Sequence, residues 1–280
     1  MHILSPAFVR RHSPYSLVFG LIVAFLSLSP SAHGQPANDP FASNGKSSAW
    51  AVTLGAGAAV RPTFEGSDRY FISPVPLVSI NYNDMISFDT SGLNAYWRNG
   101  SLQIGGGLTY NLGRLEGSNS VFTQGDERLN GLGNIPATAG LRAFANYKLG
   151  PVVLGATLTK YLADGNNGLL IDGLVEMPYQ LGERTTLTGR LFATWADQSY
   201  MQTWFGVTPG QSINSGYAIY QAESGIKNVG LGVNLRHQLG TNWMLSADAR
   251  LTRLTGSADY SPITVSDTNM SFLTMLGYRF

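Results

Sequence analysis

Residues 269–280 read NMSFLTMLGYRF. Phe272, Leu276, Tyr278 and Phe280 fall on one parity, and Ser271, Gly277 and Arg279 on the other. Successive side chains of a strand point to opposite faces, so the segment presents one apolar and one mixed face up to a terminal aromatic. The pattern recurs upstream. Trp50, Val52, Leu54, Ala56, Ala58 and Val60 oppose Thr53, Gly55 and Gly57, and Leu102, Ile104, Leu108, Tyr110 and Leu112 oppose Gln103, Gly105, Gly107, Thr109 and Asn111. Val229, Leu231, Val233 and Leu235 oppose Gly230, Gly232, Asn234 and Arg236, while Trp243, Leu245, Ala247, Ala249 and Leu251 oppose Ser246, Asp248, Arg250 and Thr252. A period of two specifies strands, and a parity nearly free of charge suits a face turned to lipid.

The chain begins with Arg10 and Arg11, an apolar run from Leu17 to Leu28, and Ala32-His33-Gly34, the order of a cleavable export signal. The run is shorter than the ~20 residues a spanning helix needs. Removing residues 1–34 takes away two of the 18 basic residues and no acid, leaving 16 against 17. That balance argues against a nucleic-acid binder, which needs a basic face for phosphates. The absence of cysteine excludes disulfides and thiolate metal sites. Only 12% of residues are charged, about half the usual share of a soluble domain.

Residues 35–49 are polar and read as a flexible periplasmic leader, and residues 50–280 as the barrel. Tight turns are expected at 83–84, 150–151, 181–184 and 240–242, and long polar loops at 61–72, 113–136, 197–224 and 255–268. Outer-membrane barrels have short periplasmic turns and long outer loops, so both chain ends are expected in the periplasm and the strand number is even. The expected fold is all-β, a transmembrane antiparallel up-and-down barrel. Strands are expected near 50–60, 73–82, 85–90, 92–97, 101–112, 136–149, 152–162, 168–180, 185–196, 225–239, 243–254 and 269–280. That makes twelve, or ten if residues 85–97 are not two strands.

Chemistry-bearing residues are few. Past residue 34 the one histidine is His237, on the parity of Leu235 and Leu239 beside a turn, and an activated serine ordinarily needs a histidine base. Neither a catalytic residue nor a metal or cofactor site is expected. Arg142, Lys148, Asp172, Glu176, Arg190, Arg236, Asp248 and Arg250 lie on the inward parity as candidate lumen-lining residues. Such charges either serve a polar solute or neutralise one another in a filled interior. Asp172 and Glu176 are expected to pair with Arg190 and neighbouring bases. Gly105-Gly106-Gly107 lies inside a strand, where it permits close backbone approach rather than forming a phosphate cradle. Trp195, Tyr200, Trp204, Tyr217 and Tyr220 surround the longest loop, where aromatics stack on a ligand or form a membrane-interface belt.

Phe64-Glu65-Gly66-Ser67 with Ser73-Pro74-Val75-Pro76, Leu112-Gly113-Arg114, Gly131-Leu132-Gly133-Asn134-Ile135, Thr194-Trp195-Ala196-Asp197 and Tyr200-Met201-Gln202-Thr203-Trp204-Phe205-Gly206-Val207 resemble the MltA-interacting protein (MipA/OmpV) family over residues 50–280. Where the family pattern has Asp, Tyr and a His-Gly-Gly, this chain has Asn134, Trp204 and Asp164-Gly165-Asn166-Asn167-Gly168. The resemblance implies a non-enzymatic Gram-negative outer-membrane barrel, in contact with outer-membrane lipids and lipopolysaccharide, that joins a murein transglycosylase to a peptidoglycan synthase. Other members are linked to passage of solutes or antibiotics and to adhesion through outer loops. The end of the chain, with Tyr278 and Phe280, resembles the signal read by the barrel assembly machinery.

Overall fold

The computed structural model describes residues 49–117 and 122–280. Twelve antiparallel strands close into one barrel: β1 (Trp50–Pro62), β2 (Tyr70–Tyr82), β3 (Ile86–Asp89), β4 (Gly92–Asn99), β5 (Leu102–Asn111), β6 (Thr138–Leu149), β7 (Val152–Tyr161), β8 (Leu169–Gly182), β9 (Thr185–Ala196), β10 (Gly225–Leu239), β11 (Trp243–Leu254) and β12 (Thr268–Arg279). Each strand pairs with its sequence neighbour, and β12 returns to β1 with Val60 opposite Phe272 and Thr53 opposite Arg279. The ring gives every strand a partner on each side over at least part of its length, which limits the backbone groups left without a partner in lipid. The expected signal segment and all but Ala49 of the expected leader lie outside the described residues.

The uncertain stretch is two strands, so the count is twelve and not ten. Gly92 makes the reversal with φ at 120°, and a Cβ there would sit 1.9 Å from the Leu108 carbonyl oxygen. At the opposite end of the hairpin before it, Asn83 and Asp84 both adopt φ of 51° and Met85 N–H donates to Tyr82 O. Two consecutive left-handed residues form the turn that matches strand twist, and Asn and Asp tolerate that conformation. The first long loop is shorter than the expected 61–72, because Arg61 pairs with Phe71 and Pro62 with Tyr70.

The outward parity is apolar around the ring, with Leu54, Ile104, Leu141, Leu191, Leu231 and Phe272 among its exposed side chains. Lys160 and Arg253, both beside the long-loop ends of their strands, reach Asp197 (3.9 Å) and Asp267 (3.1 Å) outside the wall. At the short-turn rim Trp50 packs on Tyr82, and Trp243, Tyr278 and Phe280 form a chain of edge-on contacts at 5.2 and 5.0 Å. Aromatics of this kind anchor a barrel at the membrane–water boundary.

The wall is not of even height. β3 has four residues, and β2 pairs with it only through Ile80, Asn81 and Tyr82. Among the described residues, 70–79 of β2 therefore have ladder partners on the β1 side alone.

Candidate functional site

The inward parity carries a connected ion cluster at mid-height. Glu176 of β8 stands opposite Arg190 of β9, and their side chains pair at 3.0 Å. Arg190 pairs across β10 with Asp248 at 3.3 Å, and Asp248 pairs with Arg250 at 2.6 Å. What lets Arg190 reach that far is Gly232, which lies between Arg190 and Arg250 in the register. A Cβ on Gly232 would already be 3.1 Å from Arg190 Cγ. Asn234 Nδ2 donates to Asp248 Oδ2 and Ser246 Oγ, closing the base of the cluster. Two cations and two anions, all nearly fully buried, neutralise one another, as removal of charge from water demands.

The other inward charges stand apart from this cluster. Arg142 is buried and donates to the Ser91 carbonyl oxygen at 3.1 Å, tying β6 to the β3–β4 reversal. Asp172 does not join Arg190: it accepts from Thr194 Oγ1 at 2.7 Å, because Thr194 and not Arg190 stands opposite it in the register. Arg236 and Lys148 are half-buried toward the short-turn end. His237 Nδ1 lies 2.8 Å from Thr185 Oγ1 at that same end. Among the described residues no group of three or more His, Cys, Asp and Glu side chains could hold a metal.

At the long-loop end the mouth is filled by the β9–β10 connection, which folds into α1 (Gln198–Phe205) and α2 (Pro209–Ser215). Asp197 caps α1 by accepting from Tyr200 N–H, and Thr208 and Gln211 form a reciprocal capping box on α2. One turn of α1 aligns Tyr200 with Trp204, stacked at 5.5 Å, and places both with Met201 and Phe205 against Tyr161, Leu170 and Leu254 of the strand ends. The carbonyls that end α1 are satisfied from other loops: Arg114 Nη1 donates to Trp204 O at 2.7 Å and Ser261 Oγ to Phe205 O at 2.6 Å. Burial pulls the Arg114 guanidinium down to about 10 from its ordinary value. A second apolar cluster, Phe64, Leu129, Leu132, Val207 and Ile263, joins the remaining loops to the same cap.

Beneath α1, Lys227 is fully buried, pairs with Glu65 at 2.8 Å and lies 5.3 Å from the Tyr200 ring centroid. Strict alternation back from Val229 would turn Lys227 to lipid. Instead a bulge intervenes: Ile226 pairs with Trp195 and Asn228 with Thr194, so Lys227 and Asn228 both enter the interior. Sequence reasoning missed this lysine; a cation on a lipid parity was the available signal. The aromatic cluster is likewise neither one belt nor one ligand surface. Trp195 stands on the outward parity, Tyr200 and Trp204 form the cap core, and Tyr217 and Tyr220 pack on the second cluster. Replacing Lys227 by alanine strands Glu65 inside the cap and is expected to cost about 3 kcal/mol. Urea unfolding in vesicles checks this, and a Glu65→Gln, Lys227→Met pair should recover most of the loss.

A family model described as MltA-interacting protein MipA matches residues 54–280. The chain belongs to the MltA-interacting protein MipA family. That membership and the closed barrel place it in the outer membrane. No curated protein matches the chain. Among solved structures it is similar to outer-membrane expressed OmpT of Vibrio cholerae, at 10% identity and a TM-score of 0.35, covering 84% of this chain and 99% of that one. It is also similar to the translocator domain of autotransporter NalP from Neisseria meningitidis, at 10% identity and a TM-score of 0.44, covering 85% and 90%.

Proposed function

We propose that this MipA-family barrel is a shut, non-enzymatic scaffold that holds a murein transglycosylase at the inner surface of the outer membrane. The observation that carries the reading is the cap: Tyr161, Tyr200 and Lys227 are completely buried across the mouth, where a solute would have to leave a pore. Arg142, Asp172, Glu176, Arg190, Arg236, Asp248 and Arg250 then serve to neutralise and rigidify the interior rather than to select a solute. His237 is bonded to Thr185 at the short-turn rim, and no catalytic role is assigned to it. The partner is the one the family is named for, and it docks on the short-turn face and the leader. Immobilised transglycosylase incubated with folded barrel in nanodiscs should retain it, more weakly without residues 35–48. No retention of the intact folded chain contradicts the scaffold reading.

Tyr278 and Phe280 are proposed as the assembly signal. They stack edge-on at the exposed end of β12, whose partner β1 must be met last to close the ring. Deleting Phe280 is expected to lower the amount of heat-modifiable barrel in the outer membrane several-fold; unchanged amounts contradict the assignment.

A further inference from the structure

The low wall beside β2 has chemistry on both sides of it. Backbone groups of alternate strand residues point to alternate edges. Asn83 N–H donates to Ala49 O on the β1 side, so the even-numbered residues of β2 turn theirs to the open edge. Pro74 and Pro76 occupy two of those positions, removing donors where no strand would accept them. They also discourage another strand from pairing there. The edge faces the same lipid as Ile72, the most exposed apolar side chain of β2, so it is continuous with the membrane-facing surface.

Behind the open edge the inner wall changes character along its length. Near the long-loop end Arg61 is 8% exposed, lies over the Phe71 ring and donates to the Phe122 carbonyl, with its Nε unpartnered and no carboxylate paired to it among the described residues. Ser73, one inward position along β2, is fully buried with its hydroxyl also unpartnered. Below them the wall is apolar: Ala59, Val75, Leu77 and Met275 pack together, with Leu273 half-buried against them. Leu77 and Met275 lie close over Gly277 and Gly57, where a larger residue would push them off the wall.

We propose that this flank binds an anionic, single-chain amphiphile that enters from the outer leaflet over the β3–β4 hairpin. Its acidic head is held by Arg61 and Ser73, and its chain lies along Val75, Leu77 and Met275. A buried guanidinium without a carboxylate supplies the head-group charge complement, and two orphaned polar atoms supply its hydrogen bonds. The inference is independent of the scaffold reading, which rests on the capped mouth and the short-turn face and not on this flank.

The test uses the full chain in zwitterionic nanodiscs with dansyl-undecanoic acid as probe. Saturable binding is expected, undisturbed by inorganic phosphate. It should be about tenfold weaker for the methyl ester and for Arg61→Gln, the scale of one charge-assisted hydrogen bond. A diazirine-bearing fatty acid on the unaltered chain should mark Val75, Leu77 or Met275. Equal binding of acid and ester, displacement by phosphate, or adducts confined to outward residues such as Ile72 and Phe272 would each overturn it.

Discussion

Replacing Arg190 by alanine is expected to destabilise the barrel by about 3–5 kcal/mol, because it leaves two buried carboxylates facing each other without their shared cation. Arg190 is the hinge of the cluster: Glu176 pairs with it from one side at 3.0 Å and Asp248 from the other at 3.3 Å. Asp248 keeps Arg250, so Glu176 suffers most. Urea unfolding in vesicles measures the loss directly. Neutralising Arg190 and Glu176 together, with Arg190→Met and Glu176→Gln, should recover most of it, because Asp248 keeps Arg250 and no charge is then left buried alone. A loss below about 1 kcal/mol for Arg190→Ala would place the cluster among the weak, solvated ion pairs.

The second large effect is on permeability. Replacing residues 198–222 by a short Gly-Ser link removes α1, Tyr200 and Trp204 from the mouth and is expected to turn a silent barrel into one with small conductance steps. Beneath the cap the β6–β8 lining is less tightly packed. Asn146, Thr157, Asp172 and Leu174 face inward and remain half-buried, whereas Thr159, Tyr161 and Leu170, nearer the mouth, are completely buried. Removing the cap therefore joins the roomier β6–β8 side of the lumen to the outside, while the ion cluster still fills the β8–β11 side. A milder variant, Tyr200→Ala with Trp204→Ala, should loosen the cap and raise cleavage of the 197–224 loop by protease without blocking assembly.

What the sequence reveals follows from what lipid forbids. Twelve strands and their facing could be read because a charge on the outward parity is costly, so alternation survives in nearly every strand. Parity puts Asp172 and Glu176 on one face with Arg190, and the register places only Glu176 opposite it. Parity gives the face of a residue but not the row it shares with a neighbour. Lys227 was hidden by a one-residue bulge, which puts Gly225 and Ile226 out of phase with the rest of β10. The cap was hidden by its brevity: Tyr200, Met201, Trp204 and Phe205 repeat at helical spacing inside a segment whose intervening Gln and Ser residues read as loop. Asp197 before α1, and Thr208 with Gln211 at α2, were the signals that could have found it. The low wall at β2 was written in Pro74 and Pro76, two residues that a centrally paired strand does not accommodate.

A scaffold and a pore differ most sharply in whether the intact molecule is shut. The deciding measurement is planar-bilayer conductance of the purified, folded, full-length barrel, with its folding verified by heat-modifiable mobility in the same preparation. A folded chain with its cap in place is predicted to insert and remain silent over the voltage range that porins tolerate. Reproducible single-channel steps from that intact chain would contradict the closed barrel.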